Sequence, residues 1–154
     1  MPALKLCDND FVRVGVGFGA NLQSPDPRGF RVASGEFGDF PVLFWGAIRA
    51  GVIPVLLNTR LTADQYRYLL DDSRAKLAFV SAALLPVVQE AARDLPELKQ
   101  IIVVGGGPDG VARLDTLLAG VNQPGTPAKT CADEVAYWLY SSGTTGMPKG
   151  VMHV

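Results

Sequence analysis

The chain has 154 residues, of which 48% are hydrophobic and 19% charged, with a formal charge of −1. That length suits one compact domain of ordinary size, and the apolar content excludes a chain disordered by composition. Fourteen Lys plus Arg stand against fifteen Asp plus Glu with no basic block; this excludes a protein whose main work is neutralising a phosphate backbone, so nucleic acid is not an expected partner.

The chain divides near Gly38 into a poorly assigned segment, 1–38, and a structured part, 39–154. In the first, Gly15, Gly17, Gly19, Pro25, Pro27, Gly29 and Gly35 leave room for one short strand, Phe11 to Val16, and no core is assignable there. From Asp39 the pattern changes. Asp39 is a candidate N-cap, Phe40 to Ala50 is apolar nearly all round, and Gly51 stands at a helix C′ position. This helix is expected to be buried, with Phe40, Phe44 and Trp45 in the core.

Val52 to Leu57 reads as a strand, which Pro54 pushes toward a sheet edge or an irregular position because proline cannot donate to the ladder. Thr62 and Gln65 then fit the S/T-x-x-E/Q capping box, opening a helix whose Tyr66, Leu69 and Leu70 share one face. Past its end, Asp71, Asp72, Arg74 and Lys76 form a mixed charge cluster read as solvated, with Arg74 and Lys76 within reach of the last carbonyls. Lys76 to Val80 is a strand, Ala82 to Arg93 a helix, and Gln100 to Val104 a strand of the continuous apolar kind found in buried parallel sheets.

Gly105 to Gly110 is a turn, Leu114 to Leu118 a short helix, and Val121 to Thr130 a connecting loop containing Pro124 and Pro127. Val135 to Tyr140 follows as an apolar, aromatic strand, with Trp138 and Tyr140 on one side and Tyr137 on the other. Such alternation predicts an α/β fold: a layered, mostly parallel sheet with flanking helices.

Several chemistries are not expected. Cys7 and Cys131 are the only cysteines and His153 the only histidine, so no Cys/His metal site can be assembled. Neither cysteine has an activating neighbour, and His153 has no visible acid or nucleophile partner, so it is read as a structural residue or as one that supports a site residue from behind. The longest apolar stretch, Phe40 to Ile48, falls well short of the roughly 20 residues of a membrane span. Lys5, Asp8, Asp10 and Arg13 interrupt anything resembling a signal peptide. No membrane partner is expected, and a reducing cytoplasm is the simplest home.

Two stretches match a dinucleotide fingerprint by letters, Gly15 to Ala20 and Gly105 to Gly110. The first runs into Pro25 and Pro27; the second contains Pro108 and leads into a short helix. Neither offers the strand-turn-helix context that would aim backbone N–H groups at a pyrophosphate, so both read as ordinary turns.

The segment from Ser141 to Lys149 is different. Four hydroxyls, two glycines and one lysine occur in nine residues directly after a strand. Gly143 and Gly146 let the backbone approach a ligand closely. Ser141, Ser142, Thr144 and Thr145 can donate to phosphate oxygens, and Lys149 adds a mobile positive charge. This is not a Walker A loop, because Pro148 precedes the lysine and Gly150 follows it. On composition alone, a polyphosphate clamp and a plain polar connector remain equally open.

The run Tyr140-Ser141-Ser142-Gly143-Thr144-Thr145-Gly146-Met147-Pro148-Lys149-Gly150-Val151 resembles the AMP-binding signature of the adenylate-forming superfamily. Phe44 to Asn58 resembles that superfamily's earlier helix-strand motif, and Asp39 to Ser81 is most similar to benzoate-CoA and hydroxybenzoate-CoA ligases. The resemblance covers Asp39 to the C-terminus and stops before Gly38. It implies a carboxylate-CoA ligase reaction: a small carboxylate, here an aromatic acid, attacks the α-phosphorus of ATP, and coenzyme A then displaces AMP. It also implies ATP and Mg²⁺ at the loop, with Ser141, Ser142, Gly143, Thr144, Thr145, Gly146 and Lys149 as nucleotide-binding residues. No catalytic residue and no protein metal ligand is assigned.

Members of that superfamily are several times longer, so the chain is expected to be an N-terminal fragment, inactive alone. The pocket that would select the acid is not expected within it, and its oligomeric state is left open. The alternative is a noncatalytic nucleotide-binding or interaction module, or a degenerate gene product, that keeps the loop without the chemistry.

Overall fold

The computed structural model describes residues 13–17, 36–122, 125–141 and 146–154. They form one six-stranded sheet: β1 (Arg13–Gly17), β2 (Ile53–Leu57), β3 (Leu77–Ser81), β4 (Gln100–Val104), β5 (Tyr137–Ser141) and β6 (Lys149–His153), in the order β4-β3-β1-β2-β5-β6. Every neighbouring pair is parallel except β5 and β6, which form an antiparallel hairpin at one edge. The helices are α1 (Glu36–Arg49), α2 (Ala63–Asp72), α3 (Leu85–Ala91) and α4 (Leu114–Ala119), with a 3-10 turn at Ala92–Asp94.

Alternation along β3 fixes the layers. Ala78 and Val80 pack with Tyr66 and Leu70 of α2 and with Leu85, Val88 and Ala91 of α3. Leu77 and Phe79 point the other way, toward Val52, Phe40 and Ala47. Leu114 of α4 joins that second side against Ile102 and Val104, with Leu43 of α1. Successive strand residues face opposite sides, so the sheet lies between α2 and α3 on one face and α1 and α4 on the other, a three-layer α/β arrangement.

Local signals account for the element ends. Thr62 caps α2 as expected: its Oγ accepts from the Gln65 N–H, and the Gln65 side chain accepts from the Thr62 N–H at 3.0 Å. Tyr66, Leu69 and Leu70 are the buried face. α1 ends in a Schellman motif, with Val52 N–H bonded to Ala47 O at 2.9 Å and Gly51 N–H to Ile48 O at 3.0 Å. Gly51 takes φ +72°, and a Cβ there would lie 2.8 Å from Cβ of Ala128.

Three expectations are corrected. α1 begins at Glu36, so Asp39 is not its N-cap and Pro41 falls inside it, removing one helical hydrogen bond. α1 is not fully buried: Val42 is 59% and Trp45 64% exposed. Only one side of the helix meets the sheet, and its uniformly apolar composition does not reveal which. β2 is an internal strand, not an edge. Pro54 is accommodated because it is near the start of the strand, before the ladder with β5 begins at Val55. The short strand expected at Phe11 to Val16 is present as β1, Arg13–Gly17, and it lies between β2 and β3 in the interior of the sheet.

Smaller differences concern the other segments. The helix expected over Ala82 to Arg93 is α3 followed by the 3-10 turn. Gly15 and Gly17 lie inside β1, so the first fingerprint match begins within a strand, while 18–20 are outside the described residues. Gly105 and Gly110 take positive φ in a turn leading to the short α4. The Cys7 thiol is outside the described residues.

Candidate functional site

The hairpin of β5 and β6 carries the described part of the candidate loop. β5 lies parallel to β2, but only Val55 with Trp138 and Leu56 with Leu139 are paired. Tyr140 and Ser141 extend past that ladder and pair with Gly150 and Lys149 of β6. Ser141 therefore stands at the carboxyl end of a parallel strand, the side of an open α/β sheet where ligands bind.

Ser141 and Lys149 face each other across the last rung of the hairpin, and the Ser141 hydroxyl lies 3.5 Å from the Lys149 carbonyl. Both residues are exposed, and Lys149 has no carboxylate partner among the described residues. Gly146 and Met147 are likewise exposed, Met147 by 53%. Ser142, Gly143, Thr144 and Thr145 lie outside the described residues.

The faces of the hairpin follow the strand alternation. A Cβ on Gly150 would lie 3.4 Å from both the Trp138 and Tyr140 rings, so glycine lets β6 pass close beside these aromatic side chains. On the opposite face, Tyr137 stacks on His153 with ring centres 4.5 Å apart, and Phe44 of α1 meets Tyr137 edge-on at 5.5 Å. The lone histidine is thus held in an aromatic stack, consistent with a structural role. Trp45 also meets Phe44 edge-on at 5.2 Å, although its own surface is largely exposed.

α2 reaches this hairpin through two side chains. The Tyr140 hydroxyl donates to the Asp72 carboxylate at 2.5 Å, and the Tyr68 hydroxyl donates to the Pro148 carbonyl at 3.2 Å. No motif in the sequence singles out Tyr68, and Asp72 reads there as part of a solvated charge cluster. The available signal was the i, i+4 spacing of the two residues away from the apolar face of α2. Lys76 of the same cluster is paired with Glu97, which holds the Glu97 carboxyl below its ordinary range.

Hollows of about 180 and 290 Å³ are lined by other residues: one by the starts of β2 and β5 with Cys131, the other by α1, α4 and β3. Neither includes Ser141 or Lys149. Among the described residues no three His, Cys, Asp or Glu side chains are grouped to hold a metal, and no helix is long and apolar enough to cross a membrane.

Ser141 and Lys149 thus stand together at the carboxyl edge of a parallel sheet, and residues 32–154 match the family model for AMP-binding enzymes. The chain belongs to the AMP-binding enzyme family. Over 116 residues this AMP-binding enzyme chain is 67% identical to a 4-hydroxybenzoate-CoA/benzoate-CoA ligase of Rhodopseudomonas palustris, covering 75% of this chain and 22% of the relative. It is 44% identical over 116 residues, with the same two coverages, to a benzoate-CoA ligase of Thauera aromatica. The chain therefore spans about a fifth of the length of these curated relatives.

Among solved structures, it superposes on an anthranilate-CoA ligase in complex with anthranoyl-AMP with TM-score 0.75 and 28% identity, over 92% of this chain and 25% of that one. A benzoate-CoA ligase from Burkholderia xenovorans superposes with TM-score 0.69 and 29% identity, over 92% and 24%. The layered α/β fold and the AMP-binding assignment agree with the sequence reading.

Proposed function

We propose that the chain is the N-terminal portion of an ATP-dependent aryl-CoA ligase acting on a benzoate-type acid, and that it contributes the grip on the nucleotide's phosphates. The observation that carries this reading is the placement of Ser141 and Lys149. They flank the glycine- and hydroxyl-rich segment at the carboxyl edge of the sheet, both exposed and with the ammonium unpaired among the described residues. A donor set of hydroxyls, backbone N–H groups and one ammonium suits a polyphosphate and offers nothing to an apolar ligand.

In the reaction implied, a carboxylate oxygen bonds to the α-phosphorus while the bond to the bridging oxygen breaks, and pyrophosphate leaves with that electron pair. The thiolate of coenzyme A then attacks the acyl carbon and AMP departs, giving the thioester. Lys149 and the hydroxyls of Ser141, Ser142, Thr144 and Thr145 stabilise the charge that builds on the leaving β- and γ-phosphates. Gly143 and Gly146 let the backbone come close to those oxygens. Mg²⁺, when bound, neutralises phosphate charge; it arrives with the nucleotide, and no residue of this chain is assigned to hold it.

Leaving-group stabilisation is one part of catalysis, and orientation of the acid is another. The hollow beside Cys131 and the one between α1, α4 and β3 include neither Ser141 nor Lys149, and these 154 residues alone are expected to bind MgATP without turning it over. Titration calorimetry with MgATP, paired with pyrophosphate release in the presence of benzoate, tests both statements. Lys149→Ala should weaken MgATP binding about ten- to a hundredfold, the worth of one hydrogen bond to a charged group. Sustained pyrophosphate release by the purified chain would overturn its inactivity, and MgATP affinity unchanged by Lys149→Ala would overturn the phosphate role.

A further inference from the structure

The two bonds from α2 reach the two stems on opposite sides of the Ser141–Lys149 rung: Tyr140 pairs with Gly150, one rung away from the loop, and Pro148 lies on the loop side of Lys149. Tyr140, bonded to Asp72, immediately precedes Ser141; Pro148, bonded to Tyr68, immediately precedes Lys149. Tyr68 and Asp72 are four residues apart on α2, so a single helix face reaches both stems. The stems need such support. Beyond Leu139 the hairpin has no further partner in β2, and on its other side β6 is the edge of the sheet.

Neither side chain is there for the sake of α2 itself. The buried face of that helix is Tyr66, Leu69 and Leu70. Asp72 occupies the last turn, where a carboxylate opposes the helix dipole and no basic residue offsets it. A negative charge near a phosphate-binding loop is also unfavourable to the ligand. Asp72 thus works against both its helix and the nucleotide unless it is required as an acceptor.

We infer that Tyr68 and Asp72 are positioning residues: they hold the two stems so that Ser141 and Lys149 present their groups to the same phosphate chain. This inference rests on the phosphate-binding reading above. Tyr68 acts on the Lys149 side through the Pro148 carbonyl, and Asp72 acts on the Ser141 side through the Tyr140 hydroxyl.

The test uses the whole chain, with MgATP as the probe in calorimetry and amide exchange of the hairpin measured without ligand. Tyr68→Phe and Asp72→Ala should each weaken MgATP binding about 3- to 10-fold, the range set by loss of one ordinary hydrogen bond. Each should also speed exchange at residues 149–151, and Asp72→Ala should leave the melting temperature unchanged or raised because the helix end loses an adverse charge. Asp72→Asn keeps an acceptor for Tyr140 and should restore binding to the wild-type level or better. Combining Tyr140→Phe with Asp72→Ala should cost no more than either alone, as for two halves of one contact. Asp71→Ala, one residue away, is the neutral control.

The inference is overturned if Tyr68→Phe and Asp72→Ala leave affinity and hairpin exchange unchanged, or if exchange rises evenly across the chain. It is also overturned if Asp72→Ala tightens MgATP binding, since charge removal would then outweigh positioning. Should the wild-type chain fail to bind MgATP, the phosphate reading falls separately, and hairpin exchange alone decides whether α2 sets the stems.

Discussion

Gly51 offers a quantitative test of how α1, β2 and the segment leading to β5 are joined. Gly51→Ala introduces two penalties that can be separated. The first is conformational: at φ +72° an L side chain costs about 1–2 kcal/mol. The second is steric, because the new Cβ would lie 2.8 Å from Cβ of Ala128. Ala128 cannot easily retreat, since its N–H is bonded to the Arg49 carbonyl at 2.9 Å, and relieving such overpacking costs about 1–3 kcal/mol.

Together these give a loss of about 2–5 kcal/mol, or a melting temperature lower by roughly 5–15 °C for a domain of this size. Urea unfolding followed by the fluorescence of Trp45 and Trp138 measures it. Adding Ala128→Gly to Gly51→Ala should return the steric part, about 1–3 kcal/mol, while the conformational part stays. A loss below about 0.5 kcal/mol for Gly51→Ala would refute the left-handed C′ geometry, because such values are typical of plain surface sites. No recovery on adding Ala128→Gly would refute the contact.

Thr62→Ala removes the acceptor of the capping box and should cost about 1 kcal/mol in urea unfolding, with faster amide exchange confined to the first turn of α2. Burial raises the Tyr66 phenol above its ordinary value of 10.0, so the folded state keeps that proton longer than the unfolded chain does. Stability should therefore be intact below pH 10 and fall as pH rises toward the raised value; Tyr66→Phe should flatten that alkaline fall in a series of unfolding curves. Ser81 is buried and its hydroxyl has no hydrogen-bond partner among the described residues, so Ser81→Ala should stabilise by about 1 kcal/mol in the same unfolding assay.

The legible parts of the fold were those fixed by chemistry within a few residues. Thr62 with Gln65, Gly51 after Ala50, and the apolar run from Gln100 to Val104 each point to a single local outcome, and the structure has those outcomes. Strand neighbours are another matter. Pro54 suggests an edge only if β2 must donate along its whole length, and that depends on where β5 joins it. The place of β1 depends on β2 and β3, which follow it at a distance that no short-range pattern spans.

For α1, a composition apolar on all sides cannot show which side remains uncovered, and Trp45 lies on that side. At the site, residue types and spacing identified Ser141 and Lys149 as members of one loop, and the antiparallel register then brought them opposite one another. The reach of Tyr68 and Asp72 was illegible because each bonds to a residue at least 68 positions away.

The strand order also carries a practical lesson about trimming. The family match starts at residue 32, which suggests a natural place to cut. A protein shortened there would lose the strand between β2 and β3, leaving those two about 9–10 Å apart, twice the usual interstrand spacing, with two raw edges facing one gap. Either the sheet would have to close by reregistering its parallel strands, or the gap would invite a strand from another molecule. The few residues from Arg13 to Gly17 are thus the keystone of the sheet, although they precede the recognisable family sequence.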